Sequence, residues 1–158
     1  MELPSNLEAL ARLIGSWSGP GEGAYPTSRS FSYQETITFT CNGKPFLEYV
    51  QRTKSPDGQP MHTETGYLRH SGDGHVEFVL AQPTGQVEIG VGTWAAQEDG
   101  SVTIVAEGTV MNTPTAKTVN RMIRRLRFGD GVLTYEIEME AVGQPMTLHL
   151  RSALELIA

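Results

Sequence analysis

A single cysteine, Cys41, is all that this chain of 158 residues carries, so no disulfide can form within it. A lone thiol fits a reducing compartment, and a cytoplasmic protein is expected. No hydrophobic run is long enough to span a membrane. Met1-Glu2-Leu3-Pro4 also lacks the basic start and apolar core of an export signal, so no membrane partner is expected. Basic residues are the minority, with 12 Lys and Arg against 18 Asp and Glu and a formal net charge of -6. Nucleic acid needs a basic face, so it is not expected as a partner. The densest basic run, Arg121-Met122-Ile123-Arg124-Arg125-Leu126-Arg127, reads as a solvated strand flank whose charges discourage edge pairing. Catalytic signatures are missing too: there is no Gly-x-Ser-x-Gly elbow, no His-Glu-x-x-His pair and no phosphate-binding loop. One Cys and four scattered His disfavour a zinc cage.

What is present is turn chemistry: 17 Gly and 9 Pro punctuate the chain. The first segment reads as a helix. Ser5 can cap it, Glu8 completes a capping box, and Leu7, Leu10, Ala11 and Ile14 form one apolar stripe before Gly15 stops it. Beyond Thr27 the period falls to two. Runs over 31–39, 46–53, 61–69, 75–81, 87–94, 102–108, 119–128, 133–141 and 146–156 are separated by turns such as Cys41-Asn42-Gly43-Lys44 and Ser55-Pro56-Asp57-Gly58. Turns this short make sequential strands antiparallel neighbours, and a closed meander removes its own edges. A β-sandwich is the rival, but its crossovers usually need longer connections. The expectation is one domain over 1–158: an all-β, up-and-down antiparallel barrel of about ten strands, with a short N-terminal helix at one end. A barrel of this size can hold a small ligand.

Gly15-Ser16-Trp17-Ser18-Gly19-Pro20-Gly21 follows the helix directly. Three glycines around a tryptophan read as a tight corner, a kinked first strand that lays Trp17 across the barrel floor. Of the histidines, His70 and His75 flank the turn Ser71-Gly72-Asp73-Gly74 and read as exposed, while His62 lies early in a strand. Strand parity puts His149 with Thr147 and Arg151, opposite Leu148, Leu150 and Leu154, which favours an outward-facing ring. Residue spacing alone stops at a ligand-holding barrel.

Across nearly its whole length the chain resembles the nitrobindins, haem-binding barrels related in shape to fatty-acid-binding proteins. The resemblance is carried by Gly15-x-Trp17-x-Gly19-x-Gly21, the stretch Gly21 to Thr27, and Pro60-Met61-His62-Thr63-Glu64-x-Gly66-Tyr67. Val79 to Glu88 and Pro145-x-x-x-His149-Leu150 complete it. It implies haem b as cofactor, with His149 facing the lumen as axial iron ligand, against the parity reading. It also implies Met61 and His62 on the opposite side of the haem without an iron bond, and Met139 on an apolar wall. Thr27 would lie near the haem, and Lys117 could reach a propionate. Ser28-Arg29 and Gly90 depart from the pattern, standing where more apolar or longer side chains are expected, which would loosen the cavity. The implied activity is isomerisation of peroxynitrite to nitrate on ferric haem, with nitric oxide binding to the ferrous form. The rivals are a nitric oxide or haem carrier or sensor without turnover, and a lipid carrier with an empty barrel. A lipid carrier would clamp a carboxylate with Arg-x-Tyr near the C-terminus, which Arg151-Ser152-Ala153 lacks. A homodimer stays open.

Overall fold

In a computed structural model, which describes residues 2–24 and 29–158, ten strands close into one barrel. They are β1 (Gly15–Gly23), β2 (Phe31–Thr40), β3 (Phe46–Lys54), β4 (Pro60–Gly72) and β5 (His75–Ala81), then β6 (Gln86–Ala96), β7 (Val102–Asn112), β8 (Val119–Gly129), β9 (Val132–Ala141) and β10 (Thr147–Leu156). Every neighbouring pair is antiparallel, and β1 closes the ring against β10. The meander expected from the short turns is the fold observed.

The N-terminal segment Ser5–Leu13 is a 3-10 helix, not a capped α-helix. Pro4 occupies the cap position and no side chain caps the helix; the Leu7 amide donates to the Pro4 carbonyl at 2.9 Å. The leucines explain the tighter winding. Leu7, Leu10 and Leu13 repeat every third residue and are fully buried, and a 3-10 helix stacks such residues into one ridge. That ridge enters the barrel end beside Trp17, whose indole N–H donates to the Leu13 carbonyl at 2.8 Å. His70 is half-buried here and does not stand in solvent as the turn suggested. Its Nδ1 donates to the Asn6 carbonyl of the helix, and its Nε2 accepts from the Trp94 indole at 3.1 Å.

The glycines of β1 do not make a corner. The strand pairs with β2 without interruption from Gly15↔Phe39 to Gly23↔Phe31. Their role is space: a Cβ at Gly21 would sit 2.3 Å from the Tyr33 ring, and one at Gly23 2.2 Å from the Phe31 ring. Aromatic rings over cross-strand glycines fill the room that β1 leaves. Trp17, Phe39, Phe78, Phe128, Leu47 and Leu133 pack the plugged half solid. The other half is open.

Candidate functional site

The strand ends farthest from the plug surround a cavity of about 890 Å³. That lies within the roughly 300–1,000 Å³ of small-molecule and cofactor pockets. One wall is apolar, with Val119, Met122, Ile137, Met139, Ala141 and Leu150; the facing wall carries Gln51, Thr53, His62, Glu64, Gln82 and Gln86.

His149 faces this cavity and is buried. The parity reading fails because β10 contains a bulge. Leu148 pairs with Glu138 and Leu150 with Ile137, which leaves His149 as the extra residue. A bulge bends the strand locally and re-aims a side chain. Before it Leu148 is exposed, and past it Ser152 and Leu154 are buried, so the ring turns in despite its spacing from the leucines. Its Nδ1 donates to the Ala24 carbonyl at 2.8 Å, and the His149 carbonyl accepts from the Ala24 amide. That bond selects the tautomer whose lone pair is on Nε2. Burial, the largest influence, holds the imidazole's pKa below its ordinary 6.5 and keeps it neutral.

On the opposite wall a second irregularity holds His62. The β3–β4 register shifts at Thr53, whose hydroxyl accepts from the His62 amide at 2.9 Å and donates to the His62 carbonyl. The His62 ring lies 3.8 Å from Glu64. Met61 and Lys117 are exposed and stand at the rim, and Met139 is half-buried in the apolar wall. The Lys117 carbonyl accepts from Gln86 at 2.9 Å, which ties its loop to β6. Thr27 and Ser28 lie outside the described residues, and Arg29 is exposed. Gly90 does not line the cavity; it is buried with Phe78 Cβ 3.3 Å from where its own Cβ would be, so its bareness does not widen the pocket.

The sequence reading missed the polar cavity floor. Arg124, placed above in a solvated flank, is buried and serves two carboxylates. Its Nε and Nη2 reach Glu88 at 2.7 and 3.3 Å, and its Nη1 and Nη2 reach Glu64 at 2.8 and 3.2 Å. Tyr49 donates to Glu64 at 2.7 Å. Burial alone would raise the Glu64 pKa, but the guanidinium overrides it and holds the carboxyl far below its ordinary range. A signal existed: Met122, Arg124, Leu126 and Phe128 share one inward parity. The arrangement also weighs against the fatty-acid reading, because this guanidinium is committed to two carboxylates whose net charge repels a third.

Below the cavity, Glu35 Oε2 accepts from Tyr135 at 2.5 Å and from Gln51 at 2.6 Å, while its Oε1 and that of Gln51 are buried without a partner among the described residues. Burial, the largest influence, raises the Glu35 pKa. The native state therefore binds a proton that the unfolded chain has lost, and stability falls as pH rises from about 4.5 through the folded value. Glu35→Gln removes that slope. Its advantage over the wild type in urea midpoint is expected to grow between pH 5 and pH 8; an equal difference at both would count against a raised Glu35.

Residues 6–155 match the model of the THAP4-like, heme-binding beta-barrel domain. The chain belongs to this family. Among the members of this nitrobindin family, it is 45% identical over 157 residues to peroxynitrite isomerase 2 of Mycobacterium bovis, across 97% of this chain and 96% of that one. It is 44% identical over 154 residues to peroxynitrite isomerase 2 of Mycobacterium avium, with the same coverage. Its fold superposes on the crystal structure of Rv2717c from Mycobacterium tuberculosis with a TM-score of 0.96 at 43% identity, over 99% of this chain and 100% of that one. Haem is the cofactor of the family, and the pocket fits it. The neutral His149 imidazole with its oriented tautomer, the apolar wall and the Lys117 ammonium at the rim are groups that could hold a haem and its propionates.

Proposed function

We propose that this protein binds haem b through His149 and isomerises peroxynitrite to nitrate. The observation that carries the reading is the β10 bulge, which delivers a buried, neutral, tautomer-fixed imidazole into a cavity of about 890 Å³. The curated names of the mycobacterial relatives point to the same reaction. Ferric haem, when bound, supplies an open iron position that activates the anion's O–O bond, and its ferrous form binds nitric oxide.

The chain's own residues hold and shield that chemistry. Ala24 keeps the His149 ring oriented from behind, as outer-shell carbonyls do for metal-bound histidines. Met122, Ile137, Met139 and Leu150 exclude water from one side of the cofactor. Met61 and His62 line the side from which a small ligand would approach, and the Lys117 ammonium at the rim would be placed to pair with a propionate. Whether the protein forms a homodimer is a question for size-exclusion chromatography. We place the protein in the cytoplasm, where the Cys41 thiol stays reduced.

Titration with ferric haem is expected to give a Soret band, and stopped-flow decay of peroxynitrite is expected to accelerate with the haem-loaded protein. A Soret band without acceleration would leave the carrier or sensor reading in its place.

A further inference from the structure

Two carboxylates surround one guanidinium in the cavity floor, and all three side chains are at most 5% exposed. Both carboxylates accept hydrogen bonds from Arg124, but one of them would neutralise its charge, so the second adds a desolvation cost and an excess negative charge. The chain makes room for that second carboxylate. Glu88 lies across Gly108, where a Cβ would fall 2.6 Å from its Cγ. The trio carries a net charge of about -1 in a region with little solvent to screen it.

Among the described residues, no Lys or Arg other than Arg124 is buried in the barrel to cancel it. Burial keeps His149 neutral and pushes Glu35 toward its neutral form. Lys117 is exposed at the rim, where water and salt weaken its field. The His62 ring lies 3.8 Å from Glu64 and offsets the excess charge only when it is protonated. Glu64 itself lines the cavity.

We propose that the excess carboxylate of the Glu64–Arg124–Glu88 trio sets the oxidation-state preference of the bound cofactor, favouring ferric over ferrous haem. The inference rests on the haem reading above. Its physical basis is that the ferric cofactor carries one more positive charge than the ferrous, and a buried anion nearby stabilises the more positive state. Glu64 and Glu88 are tuning residues in this role: they bind neither iron nor substrate.

Spectroelectrochemical titration of the haem-loaded protein tests it. Glu88→Gln and Glu64→Gln keep the shape and an oxygen acceptor but remove one charge. Each is expected to reduce the ferric-to-ferrous preference at least tenfold, about 59 mV for one electron, while leaving the ferric Soret band in place. Gln82→Lys offers a route that leaves the trio intact, since the Gln82 amide lies 3.3 Å from Glu64. An ammonium there is expected to shift the equilibrium in the same direction, even if a floor variant fails to fold. Haem-loaded variants whose potentials stay within twofold of the wild-type equilibrium would overturn the tuning role alone. A wild type that takes up no haem would overturn the haem reading with it.

Discussion

Arg124→Leu is expected to cost about 3–5 kcal/mol of folding stability, the range for breaking a buried ion pair by removing one partner. Small domains have roughly 5–15 kcal/mol in total, so the loss is large enough to leave the variant partly unfolded near physiological temperature. The reason is the uncompensated charge left behind. Leucine fills part of the space but leaves Glu64 and Glu88, both under 5% exposed, facing each other across the barrel floor. Urea denaturation reads the cost as a drop in midpoint at an unchanged slope.

The pH dependence gives a second signature. In the wild type the lowered Glu64 pKa contributes stability that is present above the carboxyl's unfolded value and lost as pH falls toward the folded one. Without Arg124, burial raises the carboxyl instead, so the variant's native state binds the extra proton and its stability falls as pH rises. The deficit is therefore expected to be smaller at pH 5 than at pH 8. Adding Glu64→Gln and Glu88→Gln to Arg124→Leu should recover much of the loss, because no charge is then stranded. A deficit below about 1 kcal/mol would mean that water reaches the floor and that the trio is not buried as described.

Haem affinity is where the second large effect is expected. His149→Ala should weaken haem binding by more than about 100-fold, since losing an outer-shell partner of a metal ligand alone costs 10–100-fold. Folding of the haem-free protein should change little, because the ring lies at the open end of the barrel and not in the plugged core. Absorption titration with ferric haem measures the affinity, and thermal unfolding of the haem-free variant checks the fold. Exogenous imidazole should restore part of the Soret band by entering the space the side chain leaves. Full affinity and an unchanged spectrum in His149→Ala would remove this histidine as the ligand.

The two effects fall on residues that the sequence revealed to different degrees. Strand count, antiparallel order and closure were legible because short Gly and Asp turns leave adjacent strands no other partner. The helix was legible as an element but not in its winding, because Leu7, Leu10 and Leu13 suit a period of three as well as one of 3.6. The Gly15-Trp17-Gly19-Gly21 element stood out as glycine-rich but read as a corner, whereas its glycines leave room for neighbouring groups in an unbroken strand. Which groups approach, the Tyr33 ring at Gly21 and the Ala153 backbone at Gly19, depended on β2 and β10 lying beside it.

His149 is the sharpest case. Its parity with Arg151 and Thr147 pointed outward, and family resemblance alone pointed inward. A one-residue bulge decides between them, and a bulge leaves no mark in a pattern of alternating residues. Arg124 shows the converse, since its inward parity was readable beside Met122 and Leu126 but its charge suggested solvent. A buried guanidinium becomes sensible once Glu64 from β4 and Glu88 from β6 are known to meet it. The sequence by itself determined the barrel, because turn length and period-two patterning are local properties of the chain. The tertiary structure alone decided which polar side chains share the interior, because strands far apart in sequence must close before their charges can find one another.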